Sequence, residues 1–97
     1  MSELKITRDD GETGGEYRAH PEDTNHIGRL TYKKRGDVLI AEHTLVPPAI
    51  GGRGIAARLV ERLVEDARAE GKTIVPQCSY VDAAFRKHPE WADLKAA

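Results

Sequence analysis

Four consecutive residues, Gly51-Gly52-Arg53-Gly54, could hold an anion through the backbone alone. Glycines let the main chain approach a ligand with no Cβ in the way. Their exposed N–H groups, followed by the start of a helix, make a positively polarised end that suits a diphosphate. Loops of this composition are also plain turns, and on these four residues both readings stand. The stretch Gly52-Arg53-Gly54-Ile55-Ala56-Ala57 formally meets the dinucleotide pattern G-x-G-x-x-A. Its surroundings do not. Pro47-Pro48-Ala49-Ile50 separate the preceding strand from the glycines, and no acidic residue lies between Ile74 and Cys78, where a ribose partner would stand.

Three side chains could add reactivity. Cys78 is the one cysteine and is expected at the start of a helix, where a thiol ionises more easily and becomes a nucleophile or a proton donor. A lone cysteine can equally be a small buried hydrophobe. Glu42 and His43 sit on a predicted strand and are candidate bases, histidine because it titrates near neutrality. Strand alternation places Glu42 with Ile40 and Thr44 on one face and His43 with Ala41 and Leu45 on the other, so they serve one site only if a bulge intervenes. Each has a structural alternative: Glu42 as a solvated edge carboxylate, His43 as a hydrogen-bonded, half-buried ring. His20, His26 and His88 show no metal-ligand spacing with Cys78, and no metal is expected.

These groups need elements to position them. Ile27–Lys33 alternates as a half-buried strand does, Arg35-Gly36-Asp37 is a tight turn, and Val38–Val46 is the strongest strand, apolar on both faces in its first half. The two form an antiparallel hairpin stopped by Pro47-Pro48. After the glycine loop, Ile55, Leu59, Leu63 and Ala67 recur at helical spacing, with Val60 and Val64 beside them and Gly71 as the stop. Thr73-Ile74-Val75 is a short buried strand, and a last helix is expected over Ser79–Lys87, with Trp91 anchoring the tail. The first third is polar and broken by turn residues, with short strands indicated at 4–8 and 16–20 and with residues 1–16 expected to be flexible.

The chain has 97 residues, which fits one domain over residues 1–97. Fifteen basic residues against sixteen acidic ones, a formal net charge of −1, argue against a dedicated nucleic-acid binder. No apolar h-region opens the chain and no apolar run approaches the ~20 residues of a membrane span, so a cytoplasmic protein with no membrane partner is expected; a monomer is expected as well.

A strand ending in Val-Pro-Pro, then Gly-Gly-Arg-Gly-Ile-Ala and an amphipathic helix, resembles motif A of the GNAT acetyltransferases. That pattern, Gln/Arg-x-x-Gly-x-Gly/Ala, falls on Gly51, Gly52, Arg53, Gly54, Ile55 and Ala56. Gly51 departs from it at the first position, so a side-chain contribution to the anion is lost there. His43-Thr44-Leu45-Val46-Pro47 and Pro76-Gln77-Cys78-Ser79-Tyr80-Val81 are further similar to the short single-domain members, over about Ile27 to Trp91; residues 1–16 carry none of the likeness.

The resemblance implies an α/β fold: a mostly antiparallel sheet of four to six strands, one long helix after the glycine loop and a short C-terminal helix. It implies acetyl-CoA as co-substrate and an amine as acceptor, with the acceptor unspecified. The main chain of Leu45 and Val46 would serve the pantetheine arm, and the amides from Gly51 to Ala56 the pyrophosphate. His43 is favoured over Glu42 as the base. Phe85 stands where larger members carry a proton-donating tyrosine, which leaves Cys78, or Tyr80, as the substitute. The other reading of the same residues is a module that binds acyl-CoA or a protein without turnover.

Overall fold

The computed structural model describes residues 4–96. Five strands, β1 (Leu4–Asp10), β2 (Gly14–Pro21), β3 (Gly28–Arg35), β4 (Val38–Leu45) and β5 (Thr73–Pro76), form one sheet in chain order. The first four are joined by turns and pair antiparallel; β5 pairs parallel to β4. A parallel neighbour needs a crossover. Here it is α1 (Ile55–Glu70), entered through a 3-10 turn at Pro48–Ile50 and the glycine loop. Helix α2 (Ser79–Lys87) and a second 3-10 stretch, Pro89–Leu94, complete the fold. The expected architecture is therefore present, with five strands and one parallel pair.

The core lies on one face of the sheet. Tyr17 and Ala19 of β2, Leu30 and Tyr32 of β3, Leu39 and Ala41 of β4 and Ile74 of β5 are buried there against Leu59, Val60, Leu63, Val64 and Ala67 of α1. Val81 and Phe85 of α2 join the same cluster. The start of α1 is pressed onto β3 at Gly28, where a Cβ would stand 2.8 Å from Ile55 Cγ2. A glycine is needed there for the helix to begin so close to the sheet. At its other end α1 stops at Gly71, whose left-handed conformation (φ 68°) brings its N–H to the Ala67 and Arg68 carbonyls.

Residues 4–10 form a strand, as their pattern indicates for 4–8, rather than part of a flexible segment. Met1, Ser2 and Glu3 lie outside the described residues, but β1 is a full strand clasped to α1. Arg8 lies beside the rings of Tyr17 and Tyr32, donates to the Tyr32 hydroxyl at 2.9 Å and pairs with Glu70 at 2.5 Å. The Tyr17 hydroxyl donates to Asp66 at 2.7 Å. These long-range polar partners have no local signature, which is why polarity alone suggests flexibility there.

The bulge on which a shared face for Glu42 and His43 depends is present in β4. Thr31 pairs with His43 and Tyr32 with Ala41, leaving Glu42 as an extra residue in β4. This β-bulge resets the alternation. Leu39 and Ala41 face the core, but so does Thr44, opposite buried Leu30; His43 and Leu45 pair with Thr31 and Arg29 on the open face. Glu42 also reaches that face, where its carboxylate pairs with Lys33 at 3.3 Å. Glu42 and His43 thus share a face that simple alternation denies them.

Candidate active site

The site begins where two strands part. The β4–β5 ladder runs from Val38↔Thr73 to Ala41↔Pro76 and ends there. Pro76 has no N–H to continue it, and the Cys78 N–H donates to the Ala41 carbonyl at 2.9 Å, turning the chain into α2. From Glu42 onward the edge of β4 that had faced β5 has no strand partner. Such an edge offers main-chain donors and acceptors to an extended ligand.

Across this opening Cys78 and Thr44 meet. Cys78 occupies the N-cap position of α2 and is half-buried, and its thiol donates to Thr44 Oγ1 at 3.6 Å. Burial by itself pushes the Cys78 thiol up. The Val81 amide, the Thr44 hydroxyl and the Tyr80 amide all favour the thiolate, and the net displacement is below the ordinary cysteine value. Thr44 has no reactive signature in the sequence, and only the bulge brings it to the Cys78 side.

The glycine loop lies beyond the same end of β4. Ile50 and Ile55 are buried on either side of it, so the loop is a short span between two anchors. Gly52 and Gly54 take left-handed backbone angles (φ 76° and 74°) with open space where a Cβ would project. No backbone acceptor among the described residues takes the N–H groups of Gly52, Arg53 or Gly54. The first N–H groups of α1 are unpaired by helix geometry, and its first turn carries neither a side-chain cap nor an acidic residue. Gly51 is different: it is extended (φ −67°) and its N–H donates to the Pro48 carbonyl at 3.1 Å, so it is not among the available amides. Arg53 reaches away to Asp23, with Nη1 at 2.8 and 3.0 Å from the two carboxylate oxygens.

A cleft of about 250 Å³ lies at the glycine loop. Val46, Ile50, Gly52, Gly54, Ala56 and Tyr80 line it. Tyr80, 41% exposed, also lines an adjoining groove between α1 and α2. Leu45 points away from the cleft, onto the open face, and is 63% exposed. Phe85 is buried against Trp91, with centroids 5.6 Å apart, and Trp91 also stacks on His88 at 4.0 Å. The structure thus brings Cys78 to Thr44 on the core side of the opening and Tyr80 to the glycine loop. His43 and Glu42 stand on the other, and no hydrogen bond joins either to Cys78. No cluster of three or more His, Cys, Asp or Glu able to hold a metal occurs among the described residues, and no described helix is long and apolar enough to cross a membrane.

The chain and its fold have counterparts among known proteins. Residues 16–94 match the family model described as GCN5-related N-acetyl-transferase. A solution NMR structure of a GCN5-like protein from Staphylococcus aureus, a candidate N-acetyltransferase, is similar to this fold with a TM-score of 0.70. It is 23% identical, and the match covers 94% of this chain and 88% of that one.

Proposed function

The chain belongs to the GCN5-related N-acetyltransferase family, and from that premise we propose that it is a single acetyltransferase domain moving an acetyl group from acetyl-CoA to an amine. The observation that carries the reading is the set of unpaired amides from Gly52 into the first turn of α1, set beside the free edge of β4. Gly52, Arg53, Gly54, Ile55 and Ala56 hold the pyrophosphate. The pantetheine arm follows the main chain of β4 towards Leu45 and Val46, and the thioester lies in the opening near Cys78.

The two faces divide the chemistry. An amine reaching the thioester from the open face has to lose a proton, and His43 is the exposed base there, with Glu42 held in its ion pair to Lys33. As the N–C bond forms the C–S bond breaks, and the departing thiolate takes a proton from the Cys78 thiol on the core side. Main-chain N–H groups at the end of β4 stabilise the oxyanion.

Phe85 supports a second reading, a module that binds acyl-CoA without turnover, because its ring is packed on Trp91 and has no proton to give. One experiment separates the two. Calorimetric titration with CoA tests the site, and free-thiol release from acetyl-CoA with lysine peptides, polyamines and small amines tests turnover. Saturable binding with acceptor-dependent release is the enzyme; binding without release is the module; no binding at millimolar CoA removes both.

A further inference from the structure

The glycine loop carries one cation, Arg53, and in this structure it is already engaged. Its guanidinium donates to both oxygens of Asp23, thirty positions away in the chain segment between β2 and β3. We propose that Asp23 is a counter-ion gate for the glycine loop: it holds Arg53 in the free protein and releases it to the diphosphate of the incoming ligand. The inference rests on the acyl-CoA reading above and names a residue that acts on the ligand through Arg53, a positioning residue.

Three observations carry it. The first is that Asp23 is not needed to shape the loop. Buried Ile50 and Ile55 fix its ends, the Ile50 and Gly51 amides donate to Pro47 and Pro48, and Gly52 and Gly54 supply the left-handed angles. The second is charge. While Asp23 holds it, Arg53 brings no free positive charge to the loop, so a diphosphate gains that charge only if the arginine is transferred from Asp23 to the ligand. The third is that the pair is exposed on both sides, 43% for Arg53 and 56% for Asp23. An exposed ion pair shifts an equilibrium by at most about fivefold, whereas guanidinium–phosphate bonds are charge-assisted and often two-pronged. Arg53 thereby supplies, on ligand binding, the side-chain contact that Gly51 cannot make.

The test uses the whole chain with CoA as the probe, by calorimetry at low and high salt, on Asp23→Asn, Arg53→Gln and Asp23→Glu. A gate gives effects of opposite sign. Asp23→Asn should lower the Kd for CoA several-fold, up to about fivefold, and Arg53→Gln should raise it, with Asp23→Glu near the natural value. The gain in Asp23→Asn should shrink at high salt, and the Arg53 side-chain N–H signal should move when CoA is added to the natural protein. Weaker or unchanged binding in Asp23→Asn, or unchanged binding in Arg53→Gln, would overturn the gate and leave the pair a surface clamp. No saturable binding of CoA by the natural protein would overturn the acyl-CoA reading itself and the gate with it.

Discussion

Cys78 Sγ and Thr44 Oγ1 lie 3.6 Å apart across the opening between β4 and β5, each on an element that has just left the ladder. A hydroxyl in that position stabilises the thiolate, as do the first amides of α2. Iodoacetamide alkylation of Cys78 should therefore titrate below the ~8.5 of a free cysteine, and acetyl-CoA should protect it. Thr44→Val should raise the midpoint, and Thr44→Ser should restore it. Cys78→Ser should retain CoA binding and lower turnover. A midpoint at or above that of free cysteine, with a serine variant of normal rate, would leave Cys78 as packing.

Gly54 combines a left-handed angle with the N-cap position of α1. Gly54→Glu strains the backbone by about 1–2 kcal/mol and points a negative charge at the anion site. CoA affinity should drop by more than about tenfold, at least ~1.4 kcal/mol, while circular dichroism reports a folded chain. Retained affinity would move the pyrophosphate elsewhere.

His43 should affect rate more than binding. It is exposed on the open face and does not line the cleft at the glycine loop. For His43→Ala, kcat with an amine acceptor should fall by about 10²-fold or more, with the Kd for CoA within about twofold of the natural value. Equal losses in both would make His43 a structural residue.

Arg8 clasps β1 to α1, and its hydrogen bond holds the Glu70 carboxyl below the ordinary glutamate value. A depressed folded value means the stabilisation is complete above the unfolded glutamate range, near ~4.3, and is lost as pH falls through the lower folded value. Arg8→Met should lower the thermal midpoint at neutral pH and flatten the loss of stability below about pH 4. An unchanged acid limb in urea unfolding would show that Arg8 and Glu70 do not interact in solution.

Local chemistry and periodicity determined much of this protein. The 3.6-residue pattern from Ile55 to Ala67, the stop at Gly71, the prolines closing β4 and β5 and the glycine loop between strand and helix all follow from a few residues acting on their neighbours, and each is found in the fold. The family likeness rests on those same local blocks. What only the tertiary structure decided depends on partners distant in the chain. The bulge at Glu42 follows from how β3 and β4 register, and nothing in Glu-His-Thr announces it, yet it turns Thr44 towards Cys78 and puts His43 on the far face. The clasp of β1 on α1 comes from Arg8 meeting Glu70, and the state of Arg53 from meeting Asp23. Alternation and helical period are properties of one segment; register, ion pairing and the parting of two strands belong to pairs of segments, and their energies exist only once the chain has brought them together.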